Sequence, residues 1–208
     1  VVYGGLASGT VTASVATMAA TALVRYHFSD RIAVHAGLRA QTLSGDVYIA
    51  PSYTLDVASN IGLGYVVGAS YEIPEIALRA AITYNSAISH DMTGTEFGAA
   101  TAFTQDTPQS VNFDFQTGIA ADTLLMASVR WVDWTAFSIA PPIYNAVNGP
   151  LASYAQDGWS FELGVGRRFT DQLSGAISFG YEPSYGNVAS DLGPTDGYKS
   201  IALAATYT

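Results

Sequence analysis

The chain of 208 residues contains no cysteine and only eight lysines and arginines. Without cysteine there is no disulfide framework and no thiolate metal site. Seventeen acidic residues against eight basic ones leave a formal net charge of −9. That argues against nucleic acid as a partner, because phosphate contacts need clustered Lys and Arg. Charge of either sign is scarce, at 12% of residues, about half the usual share of roughly 25%. A soluble protein this poor in charge would struggle to cover its surface. Long apolar runs are missing as well. Nothing approaches the ~18 consecutive apolar residues of a membrane helix, although 49% of the chain is hydrophobic. The opening stretch VVYGGLASG has no charged n-region and no apolar h-region, so it does not read as a signal peptide.

What the chain does have is alternation. Across 159–182, Trp159, Phe161, Leu163 and Val165 share one side with Leu173, Ile177, Phe179 and Tyr181 beyond the break at Thr170-Asp171. The other side holds Ser160, Glu162, Gly164, Gly166, Arg168, Ser174, Ala176, Ser178, Gly180 and Glu182. A period of two, twice over about ten residues around a tight polar turn, predicts a β-hairpin. Large apolar side chains on one face and charges with small residues on the other do not suit a sandwich core. They suit a transmembrane β-barrel, with lipid outside and a polar lumen inside.

The same pattern recurs along the chain. Ala20, Ala22, Val24, Tyr26 and Phe28 oppose Thr21, Arg25 and His27, and after Ser29-Asp30 the face continues through Ile32, Val34, Ala36, Leu38 and Ala40 against His35, Arg39 and Gln41. Leu63 to Ile73 and Ile76 to Tyr84 alternate around Pro74-Glu75, with Glu72 and Arg79 on the polar side. Val111 to Ile119 and Leu125 to Trp131 alternate around Ala121-Asp122, with Asp114 and Arg130 on the polar side. Asp133 falls on the apolar side, which predicts a bulge or the end of the apolar band near 132–134. Ile201 to Tyr207 form a last strand. The segments 44–60, 89–109 and 140–157, and the stretch through Pro183, Pro194 and Gly197, read as long loops.

The expected fold is therefore all-β, one transmembrane antiparallel up-and-down β-barrel domain over 1–208, with about nine strands. Short turns near Asp30, Pro74, Asp122 and Asp171 alternate with long connections. In outer-membrane barrels short turns are periplasmic and long loops extracellular. Outward aromatics should then form two belts. Tyr26, Phe28, Tyr71, Phe169 and Tyr207 lie near the turns, and Tyr84, Trp131, Trp159 or Phe161, and Tyr181 lie about ten residues away. Ten residues at ~3.3 Å rise and ~45° tilt climb roughly 23 Å, against an apolar band of about 25 Å. The candidate lumen-lining residues are Arg25, His35, Arg39, Glu72, Arg79, Asp114, Arg130, Glu162, Arg168 and Glu182. Arg167 points outward but sits beside a turn, where a lipid-facing charge costs least. An odd strand count, in a class where even counts are usual, leads to the expectation of further strands of the same protein at both ends. The ending AATYT also lacks the terminal aromatic common in barrels.

Several stretches resemble a known family. YEIPEIALR leads into TYNS at 71–86, TPQS at 107–110 precedes a strand, RWVDW at 130–134 closes the next, and GYEPS at 180–184 ends a later one. In order and spacing these are similar to the distal half of the FadL/TodX family of outer-membrane transport proteins, from about Leu23 onward. The resemblance implies a fourteen-stranded barrel plugged by an N-terminal hatch and carrying long-chain fatty acids or aromatic hydrocarbons. It implies outer-membrane lipid and a hydrophobic small molecule as partners, with no cofactor. The family's hatch, with its Asn-Pro-Ala motif, has no counterpart in this sequence.

Function classes divide on these residues. Inward Arg39, Arg79 or Arg130 can draw in a carboxylate, or the inward charges can form ladders along the lumen or grip a plug. The inward glycines leave room for a plug or let strands coil. The cluster Trp131, Trp134, Phe137 and Ile139 and the stretch 99–103 can catch an apolar substrate or serve as an ordinary girdle. His27, His35 and His90 have no metal-ligand spacing, and no Ser and acid are placed beside His35 to make a triad. Gly62, Gly64 and Gly68 lack the helix and acidic partner of a nucleotide fingerprint. The leading expectation is a passive channel for hydrophobic small molecules and not an enzyme. The alternatives are a water-filled general porin and a surface barrel that binds partners through its loops. Oligomeric state is not encoded in any pattern of the sequence.

Overall fold

The computed structural model describes residues 2–4, 11–184 and 197–208. The expected loop through Pro194 and most of the opening VVYGGLASG stretch lie outside the described residues. The strands are β1 (Val2–Gly4), β2 (Val11–His27), β3 (Ile32–Ile49), β4 (Tyr53–Ser59), β5 (Gly62–Ile73), β6 (Leu78–Asn85), β7 (Ile88–Glu96), β8 (Ala99–Thr107), β9 (Ser110–Ala120), β10 (Thr123–Val132), β11 (Ser138–Ile139), β12 (Ala152–Ser153), β13 (Gly158–Arg168), β14 (Leu173–Glu182) and β15 (Tyr198–Tyr207). Among the described residues one α-helix, α1 (Pro142–Asn148), lies between β11 and β12. All strands except β11 and β12, which pair with each other, belong to one antiparallel sheet of thirteen strands. Its path runs β15-β14-β13-β10-β9-β6-β5-β3, with β2 on the far side of β3.

Every segment predicted from alternation is a strand, and each pair around a short turn is a hairpin. Two of those turns use one device. In the first, the Ser29 hydroxyl accepts the N–H groups of Arg31 and Ile32 at 3.2 and 3.1 Å. In the second, the Thr170 hydroxyl accepts those of Gln172 and Leu173 at 3.2 and 2.9 Å. A hydroxyl that satisfies its own turn makes a short reversal stable without glycine. The Pro74–Ile76 turn is a 3-10 segment that ends at Ala77 in the left-handed region. Asp133 makes no bulge. β10 stops at Val132, and the Asp133 carboxylate caps a 3-10 turn over Trp134–Ala136. The register shift in the β9–β10 pair falls at the other end, between Thr123 and Leu124.

The long connections differ from expectation. The segment read as a loop over 44–60 is the continuation of β3, followed by β4. The segment read as a loop over 89–109 is the β7–β8 hairpin. The one over 140–157 contains α1 and β12. Sparse polar alternation, as in SHDMTGTE at 89–96, gives weak periodicity, and pairing partners decide such strands. The edge of β3 forks: Ile32–Gln41 pairs with β5, and Ser44–Ile49 pairs with β4, which carries β7 and β8.

That branch holds the buried apolar cluster of the described residues. Tyr53, Leu55, Val57, Met92 and Leu151 are buried, with Leu43, Val47, Ile49, Phe103, Ile139 and Tyr144 packed against them. The long strands have no such core. Their large apolar side chains are exposed, among them Leu38, Leu63, Ile82, Leu163, Phe179 and Leu203. So the short-turn half of the sheet leaves large apolar side chains exposed, while the long-connection end is folded on itself.

Candidate functional site

Strand register places Arg25, His35, Arg39, Glu72, Arg79, Asp114, Arg130, Glu162, Arg168 and Glu182 on one face of the sheet. Cross-strand neighbours form rows on that face. One row is Arg25, His35, Gly68, Thr83, Asn112, Arg130 and Ser160. Another runs Glu72, Arg79, Gln116, Met126, Gly164, Ser178 and Ala202.

Several of the charges meet. Arg25 Nη2 donates to Glu72 Oε1 at 2.6 Å and to Ser70 Oγ at 3.0 Å, and Arg79 Nε lies 3.4 Å from the same Glu72 oxygen. Two guanidinium groups on one carboxylate leave a net positive cluster. His35 Nε2 lies 3.1 Å from Thr83 Oγ1. The ring passes directly over Gly68, where an added Cβ would collide with it. Arg130 Nη1 donates to Asn112 Oδ1 at 2.9 Å, and Arg39 Nε to Thr21 Oγ1 at 3.0 Å. Arg168 pairs with Asp122 of the neighbouring turn. Asp114 and Glu162 do not touch each other; each stands directly opposite Ser128, one on either side of it. Glu182 stands opposite Tyr198.

The same face is hollow. Arg79, Asp114, Met126, Glu162, Ala176 and Ala204 line a single cavity of about 430 Å³. Laid flat, strands at ~4.8 Å spacing would put β6 and β15 roughly 24 Å apart, so the sheet curls around this face. A second cavity of about 850 Å³ shares Met126, Ala176 and Ala204 and reaches Ile76, Asp122 and Arg168 at the short turns. A third, about 350 Å³, shares Asp114, Ser128 and Glu162 and adds Arg130 and Tyr198. A fourth, about 410 Å³, shares Asn112 and Arg130 with the third and reaches Arg39, Ile88 and Trp134. Shared walls make these one groove along the strands.

Met126, Leu124 and Tyr198 belong to this groove and are not read as inward from the sequence, and Gln116 and Ser128, on the polar side of the alternation, are outside the candidate lumen set. The alternation that selected Arg130 selects Ser128, Met126 and Leu124 too. An apolar residue on a polar face is passed over when charge is the criterion. Among the described residues no group of three or more His, Asp or Glu is placed to hold a metal ion.

The predicted girdle residues lie on the opposite face. Trp131 stands directly across from Trp159. Trp159, Phe161 and Tyr181 stack in sequence, with 6.4 Å between successive ring centroids. Tyr84 packs on Tyr65. Near the short turns Tyr26 meets Phe28 edge-on, while Tyr71, Phe169 and Tyr207 are exposed. Polar tips of the belt are tied to the long connections. Trp131 Nε1 donates to Asp157 Oδ2 at 3.0 Å, and the Tyr84 hydroxyl donates to Gln109 Oε1 at 2.7 Å.

The long-connection end is held by two carboxylates. Glu96, fully buried, accepts the backbone N–H groups of Ile143 and Tyr144 at 3.0 and 2.7 Å. It also accepts the hydroxyls of Tyr53 and Thr101, each at 3.3 Å. Burial and the Glu96 charge push the Tyr53 phenol well above its ordinary range. Asp133 accepts from the Gln109 amide, the Thr135 hydroxyl and Ala136 N–H. These donors, Gln109 foremost, hold its carboxyl below the usual carboxylate value.

The sequence matches no protein-family model and no curated protein. Solved structures do match. A FadL homologue from Pseudomonas aeruginosa superposes with a TM-score of 0.75 at 15% identity, over 95% of this chain and 57% of its own. The toluene transporter TodX of Pseudomonas putida gives 0.64 at 10% identity, over 97% and 62%. The toluene transporter TbuX of Ralstonia pickettii gives 0.61 at 12% identity, over 95% and 60%. The chain thus spans about three fifths of the length of these proteins. The likeness is one of fold: over the part it matches, the chain is built as the FadL homologue and the toluene transporters are.

Proposed function

We propose that this chain forms part of the wall of an outer-membrane β-barrel that admits hydrophobic small molecules passively, long-chain fatty acids or aromatic hydrocarbons among them. The observation that carries the reading is the division of the curled sheet into two faces. Leu163, Ile177, Phe179 and Leu203 are exposed on one face, and a continuous groove with polar and charged walls occupies the other. Exposed leucines and phenylalanines on a regular sheet need hydrocarbon around them, and backbone groups in lipid need a closed barrel. The fold shared with toluene transporters supports hydrophobic cargo. On this reading the described long strands are a portion of a fourteen-stranded barrel, the short turns face the periplasm and the long connections face outward.

In this wall the charged rows orient and Met126 offers apolar contact. The residues of the candidate lumen set line the path, with Arg39, Arg79 and Arg130 available to a carboxylate head group. No energy source enters the scheme, and none of these residues performs a chemical step. The test is flux through vesicles that contain the full chain. Toluene or a long-chain fatty acid should cross faster than in protein-free vesicles while sugars do not. Strong sugar flux would favour a general porin, and no flux of either kind would favour a surface barrel without transport.

A further inference from the structure

The β7–β8 hairpin lies over the long-connection end of the groove and rests on bare backbone. A Cβ at Gly62 of β5 would stand 2.7 Å from Ile88 Cγ2, 2.8 Å from the Ser89 carbonyl oxygen and 2.9 Å from His90 Cε1. A Cβ at Gly64 would run into the Ile88 side chain and Ser86 Oγ. Contacts this close exist only because both positions are glycine. Ile88 and His90 are consequently buried, with His90 1% exposed.

His90 is poorly satisfied where it sits. Its Nδ1 lies 3.2 Å from Ser59 Oγ on β4, but Nε2 is buried with no hydrogen-bond partner among the described residues. Gln105 stands opposite on β8, and its buried Oε1 is also unpartnered. Of the charges near the ring, that of Asp106 favours a proton, but burial outweighs it. Beneath it β5 presents Gly62 and Gly64. On β3 the groove-facing charge is a cation, Arg39, held to Thr21. On β4, Asp56 is exposed on the far face from buried Leu55 and Val57. On β8, Asp106 lies on the far face, where it accepts the Ser89 hydroxyl. On β7 itself Asp91 is exposed on that far face, and Glu96 is committed to Tyr144, Ile143, Tyr53 and Thr101. Burial lowers the His90 pKa, with Asp106 opposing only in part.

We propose that the β7–β8 hairpin is a lid on the groove and that His90 is its proton-operated release. Neutral, the imidazole seats against Gly62 and the lid is shut. Protonated, it is a buried cation with no acceptor in place for Nε2–H, Gln105 Oε1 being unbonded as well. The Ile88–His90 stretch then lifts off β5 to return it to water, while Glu96 keeps the tip on α1. Because the shut state depresses the His90 pKa, its stability is complete above the ordinary histidine value near 6.5 and lost as the pH falls below it. The mechanism does not depend on what the groove carries.

A chain without native cysteine lends itself to the test. In the full chain, the maleimide labelling rate of Ile88→Cys, under the lid, is divided by that of Val147→Cys, on α1 and 82% exposed, which cancels the thiol's own pH dependence. The ratio should rise as the pH falls from 7.5 to 5.5, by at most about tenfold for one proton, and His90→Gln should flatten the rise. A flat ratio, or an undiminished rise in His90→Gln, overturns the proposal. Gly62→Ala in the Ile88→Cys background tests the seat separately, because the collisions with Ser89 and His90 remain. Labelling should then be fast at every pH, and protection equal to the parent's overturns it as well.

Discussion

Tyr144 donates its backbone N–H to the Glu96 carboxylate at 2.7 Å across 48 residues of sequence. With Ile143 N–H on the other oxygen, that bond anchors α1 to the β7–β8 hairpin. Glu96→Ala removes the acceptor for two backbone donors and two hydroxyls. A loss of about 2–4 kcal/mol, confined to the long-connection end, is expected. Limited proteolysis within 140–157 should accelerate in Glu96→Ala and less so in Glu96→Gln, which keeps one carbonyl oxygen.

The lipid-facing assignment is tested at mid-strand. Leu163, 53% exposed at the middle of β13, should tolerate Arg poorly, at a cost of about 2–4 kcal/mol in a bilayer. Ser178→Arg places the same charge on the groove face of β14 and should insert nearly as well as the parent. Heat-modifiable gel mobility after insertion into vesicles reads both. Equal tolerance would leave the outward face in water.

His35 lies over Gly68 because no side chain intervenes. Gly68→Val forces a collision with the Ile82 carbonyl oxygen and the His35 ring, so it should lower the thermal midpoint clearly more than Gly166→Val, whose nearest neighbour to an added Cβ is Met126 Cε at 3.6 Å.

Asp133 sets a pH limit for the Trp134 turn. Its carboxylate is stabilised in the folded chain, so that stabilisation is full above about pH 4 and lost as the pH drops through the lowered value. Tryptophan fluorescence should shift below pH 4, and the shift should shrink in Asp133→Asn, which cannot lose a charge there.

Met126 is common to the two cavities at the centre and turn end of the groove. Met126→Trp should narrow both and cut toluene flux several-fold without changing insertion, as measured in the same vesicles. Unaltered flux would place the cargo's route elsewhere.

Alternation made the long strands legible. Arg25, Glu72 and Arg79 could be placed on one face from parity alone, because a period of two is enforced wherever hydrocarbon and water lie on opposite sides. Their union around one Glu72 oxygen could not, since it depends on the β2–β3–β5–β6 neighbourhood. Over 89–109 the reading failed for a different reason. Ile88, His90 and Met92 are buried and alternate faithfully with Ser89, Asp91 and Thr93, but only Ile88 and Met92 of these six are apolar, so hydropathy showed no strand. Glu96 reads as a loop acid, and only contact with α1, drawn from a segment 47 residues away, explains its burial.

The ties from Trp131 to Asp157 and from Tyr84 to Gln109 bear on how the molecule responds to its surroundings. An interfacial indole or phenol normally sits at the level of the lipid headgroups. These two are moored to the connections above, and Gln109 is itself moored to Asp133. On the transmembrane reading, a thinner or thicker bilayer therefore pulls on the outer segments through those rings, making the entrance responsive to membrane thickness.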